Sequence, residues 1–338
     1  MEKILLWLRI IRPHTLFAAV APVAVGLLVA AQTLHLKCVE YEAHEALRKA
    51  QLHKAIVEKN PSLLEGIGAY YAPDGTVALA EDMTRIPRFD GWIAVATLLG
   101  AIALQVFANL VNDLYDYRRG ADKAHRVGFA RALAEGEVTE REMRRAVLIT
   151  LALVVLLGIV LVAKGGALIF FIGVFGIFFA WLYTATHHSL SYLGVADVFV
   201  FLFFGVLATM GTAYLQTGTL DWQSVLAGGV NGVISMSVLC INNLRDVESD
   251  RAAGKRTIVV RFGITAGRVE IVACALFSLV FAWLAFGFSI PCLVALPMAY
   301  LAFKTLKAEG EGYNRLLVQT GQTNVLYAIL VALQVIIF

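Results

Sequence analysis

The chain is 338 residues long, 59% hydrophobic and only 16% charged, with a mean hydropathy of +0.75. Soluble domains average about 45–50% apolar and about 25% charged residues, so a soluble globular class is excluded. A formal net charge of +3 points to no nucleic-acid partner, and what remains is a polytopic membrane protein.

The chain opens on a basic segment (Lys3, Arg9, Arg12) that leads into an apolar run near 15–32. Basic residues ahead of such a run also describe a secretory signal, but Arg9, Arg12 and His14 suit a retained first membrane helix. Next comes a polar stretch, 33–90, in which residues 39–59 are predicted helical, with Ala43, Ala46, Leu47 and Ala50 on one side. Asp74-Gly75 marks a turn there, and the stretch holds no chemical motif. It reads as an extra-membrane insertion between the first two spans.

Further spans are predicted near 92–114, 144–163, 167–185, 194–215, 222–243, 266–287, 290–306 and 317–338, each close to the length a bilayer crossing requires. With the first run they make nine, an all-α bundle forming a single domain over 1–338 with an insertion at about 33–90. Cys240, Cys274 and Cys292 fall inside predicted spans and Cys38 outside them, so no disulfide framework is implied. Arginine and lysine concentrate in the N-terminus and in the loops 115–143, 244–265 and 304–315, whereas the short loops near 164–166, 216–221 and 287–289 hold only Lys164. By the positive-inside rule the N-terminus and the basic loops face the cytoplasm and the C-terminus lies outside. In a prokaryote this is the cell's inner membrane.

Two span ends break the apolar pattern in the same way. The second span runs into NLVNDLYDYRRGAD, residues 109–122, and the sixth into CINNLRDVESDRAAGKRT, residues 240–257. Carboxylates and amides are costly to remove from water, so their pairing on one predicted side of the membrane calls for a reason. Residues three and four apart share a helix face, which groups Asn109, Asn112, Asp113 and Asp116 in one motif and Asn242, Asn243, Asp246 and Asp250 in the other. Asp122 follows Gly120, where the helix is expected to have ended.

Such oxygen donors are hard ligands suited to Mg²⁺, which takes one or two carboxylates plus substrate phosphate oxygens. The interleaved Arg118, Arg119, Lys123, Arg245, Lys255 and Arg256 suit an anion. Together they describe a diphosphate site at a membrane surface, and a polyprenyl diphosphate fits, its head at the acids and its chain among apolar helices. The bland alternative is a pair of solvated helix ends whose aspartates merely pair with arginines. The phenylalanines at 170, 171, 175, 178, 179, 199, 201, 203 and 204 are read as lipid-facing or core residues rather than a substrate tunnel. Asp197 is a membrane-buried acid and a functional candidate by default.

These stretches resemble the UbiA superfamily of membrane-embedded aromatic prenyltransferases, whose general pattern is ND-x-x-D-x-x-x-D followed by a later D-x-x-x-D. Asp113 and Asp116 match, Gly120 stands at the usual third acid and Asp122 follows it, a shift that resembles the family's naphthoate branch. RPHTLFAAVAPVAVG, GVADVFVFLFFGVLATMGTAYLQTG and INNLRDVESDRAAGKRTIVVRFG point the same way, while RVGFARALAEG departs from the family at Phe129, where proline is common. The resemblance implies a nine-span bundle with a central cavity. It also implies Mg²⁺ held by Asp113, Asp116, Asp246 and Asp250, with Asn109, Asn112, Asn242 and Asn243 as partners and Asp122 joining them or orienting a basic residue.

Diphosphate is assigned to Arg126, Arg245 and Lys255, and contact with the aromatic acceptor to Tyr183, His14 and Gln105. The implied reaction joins a polyprenyl diphosphate to 1,4-dihydroxy-2-naphthoate with loss of CO₂, giving demethylmenaquinone. Other acceptors such as 4-hydroxybenzoate, and a divalent-cation transporter using the same acids, are the competing readings.

Overall fold

The structure, a computed structural model, describes residues 2–57, 69–71, 77–79, 88–118, 132–182, 190 and 194–338. Contacts divide the chain into two compact units, Met1–Ala30 with Asp90–Phe338, and Ala31–Phe89. Chain order runs α1 (Glu2–Ile11), α2 (Phe17–Val57), a hairpin of β1 (Ala69–Tyr71) and β2 (Val77–Leu79), α3 (Gly91–Arg118), α4 (Glu140–Leu182) and α5 (Ala196–Phe201). A single π segment, Leu202–Val206, joins α5 to α6 (Leu207–Thr217), and α7 (Trp222–Arg245), α8 (Val247–Ala252), α9 (Ile258–Phe262) and α10 (Ile264–Phe286) follow. A 3-10 turn at Ile290–Val294 then leads into α11 (Ala295–Thr305), and α12 (Gly312–Ile337) closes the chain.

Where residues are described, the predicted spans fall mainly on helical segments, although 194–215 divides among α5, the π segment and α6, 290–306 begins in the 3-10 turn, and 183–185 lie outside the described residues. Seven of the described helices are long and apolar enough to cross a membrane, and the shorter apolar stretch Ile290–Thr305 lies between two of them. The count falls below nine partly because α4, at 43 residues, carries two of the predicted spans in one helical stretch broken at Gly166. Gly166 has φ 62° and ψ −148°, a conformation that side chains beyond hydrogen exclude. The break therefore sits in the expected 164–166 loop.

Within the unit Ala31–Phe89, the chain departs from the expected end of the first span at 32. α2 continues unbroken to Val57, because residues 33–57 contain neither glycine nor proline and are rich in Ala, Leu, Glu and Lys, so nothing stops the helix. The strands of the hairpin pair antiparallel with Tyr71 opposite Val77. They flank the Asp74-Gly75 turn signal, which itself lies outside the described residues.

Local chemistry fixes the other boundaries. Thr139 and Glu142 form a capping box before α4: the Thr139 amide donates to Glu142 Oε2 (2.9 Å) and the Glu142 amide to Thr139 Oγ1 (3.2 Å). Asp221 caps α7 by accepting from the Ser224 amide at 2.7 Å. Gly218, at φ 68°, ends α6.

Packing sorts the helices into centre and rim. In the most apolar window of α7, 72% of residues are buried, against 11% in that of α4. α7 accordingly forms the core with α10 and α12 through Ile234, Ile241, Ile271, Tyr327 and Val331, whereas α4 turns Leu148, Ile149, Leu156 and Ile159 outward. Residues that apolar have no favourable place in water, and a lipid surround is the environment that suits them. Against this core the π segment approaches α7 so closely that a Cβ at Gly205 would lie 2.4 Å from Gly232 Cα. Only glycine permits the backbone contact.

Candidate active site

α3 and α7 both end in acid-and-amide motifs, and the bundle brings these ends to one cavity of about 780 Å³. Asn109, Asn112 and Asp116 line it from α3, and Asn242, Asn243, Arg245 and Asp246 from α7, joined by Asp250, Lys255 and Thr257 from the segment that follows. These polar groups stand near the helix C-termini. Farther along, the walls become apolar, with Val23, Leu104, Val154, Ile169, Leu207 and Leu215 among the lining residues.

In this arrangement the acids are held by cations. Arg245 binds Asp246 through two parallel hydrogen bonds, Nε to Oδ1 and Nη2 to Oδ2, both 2.8 Å, and its Nη1 donates to Asn314 Oδ1 at 2.9 Å. Lys255 Nζ donates to Asp250 Oδ1 at 2.8 Å. Asp113 pairs with Arg12 of the N-terminal segment and does not line the cavity, which Arg12 does. The face-sharing expectation thus holds for Asn109, Asn112 and Asp116, while Asp113 turns to the side and acts on the cavity through Arg12. Asp246 is the C-cap of α7, and Asp250 follows on α8, with the Asp250 amide donating to the Asp246 carbonyl at 2.8 Å, so the second motif bends around the cavity end.

A chain of amides continues into the cavity wall. Asn109 Nδ2 donates to the Ile11 carbonyl (3.0 Å) and to Thr15 Oγ1 (2.9 Å), which leaves its Oδ1 to accept from Gln105 Nε2 at 3.1 Å. On the opposing side Asn324 Nδ2 donates to Ser235 Oγ at 3.3 Å, and both residues line the cavity. Asp122, Arg126 and Tyr183 lie outside the described residues, as does the His14 side chain. Asp197 is buried but stands away from the cavity lining. The phenylalanines divide: Phe171, Phe175 and Phe178 are outward and exposed, whereas Phe179, Phe199 and Phe203 line the cavity, Phe179 packing 4.4 Å from Phe199 and 5.0 Å from Phe203 between ring centroids.

Arg12, counted among the N-terminal charges and standing at the start of RPHTLFAAVAPVAVG, receives no role at the site from the sequence alone. Its signal was faint: the residue precedes a proline, and its partner is 101 positions away. It is the one described non-glycine residue with positive φ, at 57°, a conformation that costs on the order of 1–2 kcal/mol and tends to persist where surrounding contacts over-determine it.

Oxygen donors alone make up the acidic set, and among the described residues no three His, Cys, Asp or Glu groups converge into a ready-made metal centre. That donor chemistry fits a hard cation completed by substrate oxygens rather than a closed structural site. Among the described residues, three carboxylates (Asp116, Asp246, Asp250) and three cations (Arg12, Arg245, Lys255) line this end of the cavity, while Asp113 pairs with Arg12 from the side. With its lining cations matched one for one by acids, such a wall suits a diphosphate better when further positive charge accompanies it.

The model of the UbiA prenyltransferase family matches residues 75–308. A protein of Escherichia coli named 1,4-dihydroxy-2-naphthoate octaprenyltransferase is 39% identical over 57% of this chain and 67% of its own length. Its namesake in Mycobacterium tuberculosis is 34% identical over 71% of this chain and 84% of that protein. Among solved structures, a UbiA homolog from Archaeoglobus fulgidus bound to GPP and Mg²⁺ aligns with a TM-score of 0.60 at 16% identity, covering 98% of this chain and 99% of that one. The chain belongs to the UbiA prenyltransferase family and is an enzyme, an aromatic prenyltransferase.

Proposed function

We propose that this enzyme transfers a polyprenyl group from polyprenyl diphosphate to 1,4-dihydroxy-2-naphthoate with loss of CO₂, releasing diphosphate and the prenylated 1,4-diol, demethylmenaquinol, which is the reduced form of demethylmenaquinone. The observation that carries it is the meeting of two acid-and-amide helix ends at the polar end of one apolar cavity. The names of the E. coli and M. tuberculosis relatives support the naphthoate acceptor.

In this reading the apolar walls hold the prenyl chain and exclude water from the reacting carbon. Arg12, Arg245 and Lys255, which line the polar end, would bind the diphosphate oxygens. Asp116, Asp246 and Asp250 would hold Mg²⁺, with Asn112, Asn242 and Asn243 as further oxygen donors and Asp113 acting from the side. When bound, Mg²⁺ supplies charge neutralisation on the departing diphosphate. Loss of diphosphate breaks the allylic C–O bond, and the electron-rich ring then forms the new C–C bond at the carbon bearing the carboxylate. Cleavage of the C–CO₂ bond returns its electron pair to the ring, so no external base is needed. The family resemblance further assigns Asp122 to the cation or to a basic residue, Arg126 to the diphosphate and Tyr183 to the acceptor. The N-terminus and both acidic motifs are placed on the cytoplasmic side by the positive-inside rule.

The test is turnover by purified protein in lipid with Mg²⁺, a polyprenyl diphosphate and a panel of aromatic acceptors, with products identified by mass. Prenylated product lacking CO₂, formed from the dihydroxynaphthoate alone, is expected. Turnover of 4-hydroxybenzoate instead would overturn the acceptor while leaving the family intact.

A further inference from the structure

Gln105 lines the cavity on α3 and is 8% exposed, yet its carbonyl oxygen has no hydrogen-bond partner. Amide orientation is normally ambiguous, but here the chain of hydrogen bonds settles it. The Ile11 carbonyl can only accept, so Asn109 must present its NH₂ there and its Oδ1 to Gln105, and Gln105 must answer with Nε2. Its Oε1 is thereby fixed as an unused acceptor in a wall that is otherwise largely apolar. An unsatisfied buried carbonyl is uncommon and calls for an explanation.

Spacing identifies the partner. Gln105 precedes Asn112 by seven residues, about 10 Å along the helix axis, and Asn112 lines the diphosphate end of the same cavity. A near-attack separation of about 3 Å, one aromatic ring, and a hydrogen bond of about 2.8 Å together fill roughly that span. An acceptor whose reacting carbon faces the prenyl carbon beside Asn112 therefore brings a hydroxyl on the far side of its ring to Gln105.

We propose that Gln105 Oε1 accepts a hydrogen bond from the ring hydroxyl remote from the carboxylate of the aromatic acceptor, and so selects a dihydroxylated ring over a monohydroxylated one. The proposal rests on the naphthoate reading above. Gln105 is a binding and specificity residue in this scheme, because the hydroxyl adjacent to the carboxylate, not the remote one, directs electron density onto the attacking carbon. A site built to pair a hydroxyl rejects an analogue that lacks it, since the buried carbonyl is then left bare.

The experiment compares 1,4-dihydroxy-2-naphthoate with 1-hydroxy-2-naphthoate, which keeps the activating hydroxyl and the carboxylate, in the wild type and in Gln105→Met and Gln105→Glu. Wild type is expected to favour the diol by tenfold or more in kcat/KM. Gln105→Met, of similar length but without the acceptor, is expected to lower kcat/KM for the diol at least tenfold and to erase most of the preference, with KM for the prenyl diphosphate unchanged. Gln105→Glu keeps an acceptor oxygen and is expected to retain more of the preference than Gln105→Met.

Equal losses on both acceptors in Gln105→Met, or a preference that survives it, would overturn the proposal while leaving the naphthoate reading in place. Failure of wild type to prenylate either naphthoate would overturn that reading itself, and this inference with it.

Discussion

Arg12 shows how a single residue couples backbone strain to the site. Its left-handed backbone aims the guanidinium at Asp113 and into the cavity, a geometry glycine would adopt without cost. Arg12→Gly therefore removes the guanidinium and relieves the backbone strain, whereas Arg12→Ala removes the guanidinium and keeps a Cβ in the strained conformation. KM for the prenyl diphosphate is expected to rise about tenfold or more in both, as loss of a charge-assisted contact worth about 1.5–3 kcal/mol implies. Thermal unfolding is expected to separate them, with Arg12→Ala the less stable by about 1 kcal/mol. Asp116→Asn and Asp246→Asn test the acids more severely: each keeps the shape and removes a charge, and kcat/KM is expected to fall by about 100-fold or more. Near wild-type turnover in either would remove that carboxylate from the site. These acids were legible because helical spacing groups them locally, while the Arg12–Asp113 pair was not, since nothing within one motif signals a partner 101 residues away.

At the level of elements, hydropathy located the helices well and their interruptions unevenly. The Gly166 break was legible from a short polar loop, but the continuation of α2 to Val57 was not. A hydropathy window ends a span where polarity begins, whereas a helix ends only where capping or a helix-breaking residue ends it. The π segment at Leu202–Val206 was equally hidden, because its cause is tertiary: Gly205 lies against Gly228 and Gly232 of α7. The sequence shows three glycines but not that they meet. Gly205→Ala would drive a methyl to within 2.6 Å of the Gly228 carbonyl oxygen, an overpacking that costs about 1–3 kcal/mol. Because the segment contributes Phe203 and Phe204 to the cavity, the variant is expected to lower both the unfolding temperature in detergent and kcat, while Gly91→Ala, away from the cavity lining and with nothing within 4 Å of an added Cβ, leaves both unchanged.

On the scale of the whole molecule, charge and hydropathy together assign sides, and this is where local geometry has least to say. The unit formed by Met1–Ala30 and Asp90–Phe338 holds both acidic helix ends at one end of its cavity. Asp90, at the start of α3, exchanges two hydrogen bonds with Gln216 near the end of α6: its amide donates at 2.8 Å and its carbonyl accepts at 3.0 Å. Lys164, the one lysine in the short loops expected to face outward, lies 3.6 Å from the Asp90 carboxylate, so its charge is offset locally, in keeping with the positive-inside expectation.

The orientation follows for every span if it is fixed for one helix pair. Cys240, Cys274 and Cys292 are buried and Cys38 is not, so replacing Cys38 alone gives a background quiet toward a bulky membrane-impermeant maleimide. A cysteine at Lys307, in a basic loop, is expected to react only in inverted vesicles, and one at Thr219, in a loop without lysine or arginine, only in right-side-out ones. The reverse pattern would place the diphosphate site on the outer face, away from the cytoplasmic side assigned to it, and would reject the topology while leaving the bundle and its cavity as they are.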